Sequence, residues 1–204
     1  MNISRIALLA ITTAALSACT TVATSPVEVT RFHQPAMVGQ LGQTTIFIET
    51  ASDVDLGALE LAPYKEAVAR ELAKMGYRET SRDSAAQIAQ LSLDRFISEP
   101  PPKESPVSVG VGGSTGSYGS GVGLGIGINL GGKKSAQQIA TQMAVRIRNA
   151  ASGDALWEGR ANFSVGTDSP LAEGEANAAT MAAALFREFP GNSGETTEVK
   201  VSPK

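Results

Sequence analysis

The most constraining feature of this chain is a pair of alternating runs joined by a turn. From about Ala136 to Asn149, Ile139, Thr141, Met143, Val145 and Ile147 share one face while Gln138, Gln142, Arg146 and Arg148 share the other. Ser152-Gly153-Asp154 then turns the chain, and Trp157, Gly159, Ala161, Phe163 and Val165 alternate against Glu158, Arg160, Asn162 and Ser164. A period of two places one set of side chains on a core and the other in water, so this is an antiparallel hairpin with one face to bury.

The rest of the chain supplies what buries it. Val27 to Phe32 and Thr45 to Glu49 alternate as short strands, with Pro35, Gly39 and Gly42 marking the region between, and these two are expected to pair as a hairpin. Leu61, Tyr64, Val68, Leu72 and Met75 recur at helical spacing, with Pro63 placed for a first turn and Gly76 for a left-handed stop on which Tyr77 folds back. A strand from Ile88 to Ile97 points Ala89, Leu91 and Leu93 inward, and Pro100-Pro101-Pro102 ends it. An Ala-rich helix opened by Ser169-Pro170 carries Met181, Leu185 and Phe186 and stops at Pro190-Gly191. The polar tail beyond Gly191 is expected to be loose apart from Val199 and Val201. The order strand, strand, helix, strand, hairpin, helix predicts an α+β fold: a mostly antiparallel sheet with two helices packed on one face, the other face polar, plus a long glycine-rich hairpin or loop.

An address is legible at the N-terminus. The apolar stretch from Ile6 to Ala15 is about half the ~20 residues that span hydrocarbon. It closes on Leu16-Ser17-Ala18-Cys19, the spelling of a lipobox; the competing reading is an ordinary signal cut after Ser17, using Ala15 and Ser17. On the lipobox reading residues 1–18 are a lipoprotein signal peptide removed behind Ala18, Cys19 is acylated, 19–26 is a short tether, 27–190 is one domain and 191–204 a tail. Cys19 is the only cysteine, so the mature fold has no disulfide, and an acylated thiol needs no partner. Two or more acyl chains, at ~0.8 kcal/mol per buried methylene, hold firmly to a bilayer. Thr20, rather than Asp, after the cysteine resembles lipoproteins sent to the outer membrane; inner-membrane or cell-surface residence stays open. A net charge of −3 argues against nucleic acid as partner.

Three segments carry a family resemblance: Glu71-Leu72-Ala73-Lys74-Met75-Gly76-Tyr77, the turn and strand Ser152-Gly153-Asp154-Ala155-Leu156-Trp157-Glu158-Gly159-Arg160, and Phe186-Arg187-Glu188-Phe189-Pro190. In this order behind a lipobox they resemble bacterial envelope lipoproteins of domain-of-unknown-function family 4136. The resemblance implies an α+β lipoprotein domain without an agreed activity, and it carries over no functional residues, because the shared positions read as turn glycines and core aromatics.

The segment from Ser105 to Gly132 has no charged residue and holds eleven of the chain's 21 glycines. Val107, Val109 and Val111, then Val122, Leu124, Ile126, Ile128 and Leu130, alternate with Gly, Ser or Asn around a turn containing Tyr118. Glycine weakens isolated strands by up to ~1 kcal/mol each, so such a hairpin needs a support. Three supports compete: the arms lengthen the sheet's own strands, they dock on an envelope protein or a second copy, or they enter a membrane. The second makes Tyr118, Val122, Leu124 and Ile126 partner contacts. The third leaves an open hairpin's edges unsatisfied in lipid.

Enzyme spellings in this chain are products of its glycine content. Gly127, Gly132 and Lys133 fit a phosphate loop, but Lys134 stands where Ser or Thr must hold magnesium. Gly112-Gly113-Ser114-Thr115-Gly116 spells a nucleophile elbow without a strand-to-helix turn, and the only histidine, His33, lies far upstream and reads as a strand-end residue. Asp53 and Asp55 lack the further oxygen ligands of a calcium loop and read as turn solvation. The expectation is no catalytic residue, no metal and no cofactor: a non-enzymatic envelope lipoprotein acting as a structural or assembly module through protein contacts. The alternative is a periplasmic binding module for a lipid or cell-wall fragment, with an apolar pocket between helices and sheet.

Overall fold

The structure, a computed structural model, describes residues 25–52, 54–98 and 137–201. The two alternating runs form β5 (Gln138–Asn149) and β6 (Ala155–Gly166), turned at Gly153, whose φ of 78° favours glycine. With β1 (Val27–His33), β2 (Thr45–Thr50), β3 (Arg78–Glu79), β4 (Gln87–Ser98) and β7 (Thr196–Val199) they make a seven-stranded sheet in the order β3-β2-β4-β5-β6-β1-β7. Helices α1 (Ala58–Lys74) and α2 (Gly174–Leu185) cover one face, so the fold is α+β as the pattern predicts.

The expected hairpin of the first two strands does not form. β1 pairs with β6 and β7, whereas β2 lies across the sheet, parallel to β4. The cause is the connection after β2: a helix separates it from β4, and a strand-helix-strand unit joins neighbouring strands in parallel. The tail is also more ordered than its polarity suggests, because β7 forms an edge strand on β1, from Val27 opposite Val199 to Thr30 opposite Thr196.

Helix boundaries shift for identifiable reasons. α1 starts at Ala58, so Pro63 lies inside it rather than in the first turn. The N–H that proline lacks would have met the carbonyl of Leu59, a residue exposed to solvent. Gly76, at φ 89°, closes α1 with Tyr77 N donating to Leu72 O at 3.1 Å and Gly76 N to Ala73 O at 3.0 Å, the paired bonds of a Schellman stop. Ser169-Pro170 opens a separate 3-10 turn, Pro170–Ala172, with Ser169 Oγ accepting from Leu171 N. α2 begins only at Gly174 and ends at Leu185, before Pro190-Gly191.

The core lies between helices and sheet. Leu61, Tyr64, Val68 and Leu72 of α1, with Met181 and Leu185 of α2, pack on Ile46, Ile48, Leu91, Val145, Ile147 and Phe163. Trp157 stacks on Phe186 with ring centroids 5.5 Å apart, and its Nε1 donates to Pro190 O at 2.9 Å. The stack needs glycine at 159: a Cβ there would lie 2.7 Å from Leu185 Cδ1 and closer still to the Trp157 ring. Asn177, fully buried, accepts from Tyr64 Oη at 2.9 Å and donates to Leu171 O at 3.1 Å, tying the two helices together.

β1 places a cation in this core. Its alternation turns Val27, Val29 and Arg31 inward and Phe32 outward. Arg31 Nε donates to Leu185 O at 3.0 Å, and its terminal nitrogen donates to Ala184 O at 3.1 Å and Arg187 O at 2.9 Å. These carbonyls lie at and just beyond the C-terminus of α2, where Ala184 O also accepts from Arg187 N at 3.4 Å but Leu185 O and Arg187 O have no main-chain donor among the described residues, and a positive charge complements the dipole.

Candidate functional site

The helix-free face of the sheet carries most of the strands' polar and charged side chains. Pairing lines up three rows across the strands. Glu49, Gln90, Arg146, Glu158 and Phe32 form one, Ser92, Ala144, Arg160 and Thr30 the next, and Asp94, Gln142, Asn162 and Glu28 the third. These residues face outward because their neighbours in sequence are the buried ones.

One charged cluster sits in the first two rows, and a second joins Glu49 of the first row to arginines outside the rows. Arg146 Nε donates to Glu158 Oε2 at 2.9 Å, and Arg160 Nε donates to Glu158 Oε1 at 2.8 Å, so one carboxylate is clamped between two guanidiniums. Burial pushes the Glu158 carboxyl up, but the hydrogen bonds and charges of Arg160 and Arg146 outweigh it and hold the group below its ordinary value. Arg160 also lies over the Phe32 ring, 5.5 Å from its centroid, which accounts for a phenylalanine 41% exposed on a polar face. The second cluster centres on Glu49, which accepts from Arg148 at 3.1 Å and pairs with Arg82.

Ser92 and Ala144 make a low floor beside these clusters. One depression of ≈ 540 Å³ runs from this floor to the Val54–Leu56 loop, past Asp94 and Asn162. Another of ≈ 220 Å³ adjoins it at Ser52, Gln90 and Glu158. On the helix side, the space bordered by Leu56, Glu60, Tyr64, Leu93 and Arg95 is only ≈ 70 Å³.

Cys19, Ala18, Tyr118, Val122, Leu124 and Ile126 lie outside the described residues, as do the phosphate-loop and nucleophile-elbow spellings and Asp53. His33 stands at the end of β1 with Nε2 2.9 Å from Gly191 O. Asp55 is exposed, and no group of three metal-ligating side chains occurs among the described residues. The Glu158 clamp was not singled out from sequence, although its signal is there: Arg146 and, across the turn, Glu158 and Arg160 all fall on the outward phase of the alternation.

No family model matches the chain. An uncharacterized protein of Zymomonas mobilis subsp. mobilis is 26% identical over 220 aligned positions, covering 87% of this chain and 82% of that protein. Among solved structures, the PelC dodecamer from Paraburkholderia phytofirmans is similar at a TM-score of 0.41 and 11% identity, over 78% of this chain and 94% of that one. A PDZ domain protein from Parabacteroides distasonis is similar at a TM-score of 0.47 and 15% identity, over 86% of this chain and 39% of that one.

Proposed function

We propose that this chain is a non-enzymatic, lipid-anchored lipoprotein of the bacterial envelope that works as a structural or assembly module through protein contacts. Cys19 is its acylated first residue after cleavage behind Ala18, and the domain faces the periplasm from the inner leaflet of the outer membrane. The resemblance to domain-of-unknown-function family 4136 belongs to the same proposal, as does docking through Tyr118, Val122, Leu124 and Ile126.

The observation that carries the protein-contact reading is the contrast between the two sheet faces. The helix side is filled by large side chains, and the space at Leu56, Tyr64 and Leu93 is ≈ 70 Å³, short of the ~300–1,000 Å³ of a small-molecule site, while the ≈ 540 Å³ depression lies on the polar face. The opposite face is uncovered by helices and carries charges fixed by ion pairs, which suits recognition of another polar surface better than capture of a lipid.

Two measurements test this. Palmitate labelling and membrane fractionation of the parent chain and Cys19→Ala should show label and membrane residence only in the parent; an unlabelled parent refutes the anchor. A photocrosslinker replacing Ala144, at the floor of the uncovered face, should give discrete protein adducts in the native envelope. Adducts with lipid alone would refute the protein-contact reading.

A further inference from the structure

β4 outruns its neighbour. β2 pairs with it only from Gln87 to Leu91, whereas β5 accompanies it to Ser98. Ala51 N donates to Leu91 O at 2.8 Å, and Ala150 N donates to Ala86 O at 2.9 Å. Odd-numbered residues of β4 therefore direct both main-chain groups toward β2, and even-numbered ones direct theirs toward β5. Beyond Leu91, the N–H and C=O of Leu93, Arg95 and Ile97 point away from the sheet, and no main-chain or side-chain group among the described residues bonds to them. Buried or half-buried main-chain groups are normally paired, and an open strand edge is a template for another strand.

This edge does not face bulk solvent over its whole length. The β2–α1 loop, at Val54, Asp55 and Leu56, and Leu93, Asp94 and Arg95 of β4 line one end of the ≈ 540 Å³ depression, which continues over the sheet face to Ala144 and Asn162. Farther along the edge Phe96 is 43% and Ile97 67% exposed, both large and apolar. An extended chain adding to this edge would run about 4.8 Å from β4.

We infer that the slot between β4 and the β2–α1 loop receives an extended segment of a partner protein, which adds as a strand to Leu93–Ile97; this rests on the protein-contact reading above and names its site and partner chemistry. The walls set the partner's pattern. On the helix side Leu56, Tyr64 and Leu93, with Glu60 and Arg95 of opposite charge beside them, border the small ≈ 70 Å³ hollow, and its three hydrophobic residues favour an apolar side chain. On the uncovered side Arg160 is already paired with Glu158, whereas the carboxylates of Asp55 and Asp94 make no ion pair or hydrogen bond among the described residues, and they complement Lys or Arg. A strand alternating apolar and basic residues satisfies both walls, with main-chain bonds giving affinity and alternate side chains giving selectivity.

The test uses benzoylphenylalanine in place of Phe96 in the full chain, photocrosslinked in the native envelope. A discrete adduct with another protein is expected. Ile97→Pro removes an outward N–H without touching the β4–β5 ladder, and should cut the adduct about five- to ten-fold. The double variant Asp55→Lys with Asp94→Lys changes exposed side chains only and should cut it comparably, with the urea midpoint unmoved. An adduct indifferent to both variants, or one composed of this chain alone, overturns the assignment. Silence at Phe96 with protein adducts from Ala144 overturns the strand slot and leaves the protein-contact reading standing. Silence at both positions overturns the two together.

Discussion

Replacing Arg31 by Met should be among the most damaging single changes in this domain. Its guanidinium makes three hydrogen bonds of 2.9–3.1 Å to the carbonyls of Ala184, Leu185 and Arg187. Burial lowers its pKa, with Glu188 opposing that shift, but arginine remains charged at any ordinary pH. A hydrogen bond from a charged donor contributes ~1.5–3 kcal/mol, and each buried carbonyl left unpaired costs ~1–3 kcal/mol. Methionine fills much of the volume and escapes the desolvation of a cation, which returns part of that loss. Breaking a buried charged contact typically nets ~3–5 kcal/mol. With a urea slope of ~2 kcal/mol/M, the unfolding midpoint falls by about 1.5–2.5 M. Trp157, the sole tryptophan, stacks on Phe186 beside these carbonyls, so its fluorescence reports the transition directly. Arg31→Lys keeps the charge but not the fork and should fall in between. A Met variant that shifts by under about 0.5 M, or a Lys variant equal to the parent, refutes the view that Arg31 caps α2.

Three further outcomes are expected. Gly159→Ala drives a Cβ into Trp157 and Leu185, costs about 1–3 kcal/mol and alters the emission maximum of the native state; an unchanged midpoint by urea unfolding would contradict the packing account. Asn177→Ala strands Tyr64 Oη and Leu171 O in the core and lowers stability by about 2–4 kcal/mol, measured by thermal unfolding, with Tyr64→Phe in the same background adding little because the two share one bond. Because the folded-state pKa of Glu158 is depressed, its contribution is present above the unfolded carboxylate pKa and is lost as pH falls through the lower folded value. Urea midpoints of the parent should therefore decline more steeply than those of Glu158→Gln across that acid window, and parallel declines would remove the clamp from the ledger.

Strand identity was legible wherever alternation was clean. Val145 and Ile147 against Arg146 and Arg148 give β5 its face and its length, and Gly76 behind Met75 gives α1 its end. Partnership was not legible, because a period of two says which side a residue faces and nothing about which strand lies beside it. β1 and β2 illustrate this: each was recognised as a strand, yet the intervening turn suggested a hairpin that the strand-helix-strand crossover overrides. β7 escaped notice because Thr196-Thr197-Glu198-Val199 is polar enough for a tail, and its order comes from β1's unpaired edge rather than its own residues. Of the surface, the polarity of the uncovered face was legible from the outward residues of β5 and β6. The strand slot was not, because it arises where β2 stops and β4 continues, a difference in length that only the assembled sheet defines.

The place of β1 sets an order on how the sheet can be completed. β1 is near the start of the described chain, yet its neighbours are Trp157–Asn162 on one side and Thr196–Val199 on the other. Both partners are separated from it by most of the sequence, so each pairing closes a long loop, and such contacts are slow to form. The hairpin of β5 and β6, being local, is expected to form before β1 joins it and β7 covers the outer edge. A chain shortened before Thr196 would leave β1 as a bare border strand, and one shortened before Trp157 would leave it no place in the sheet at all.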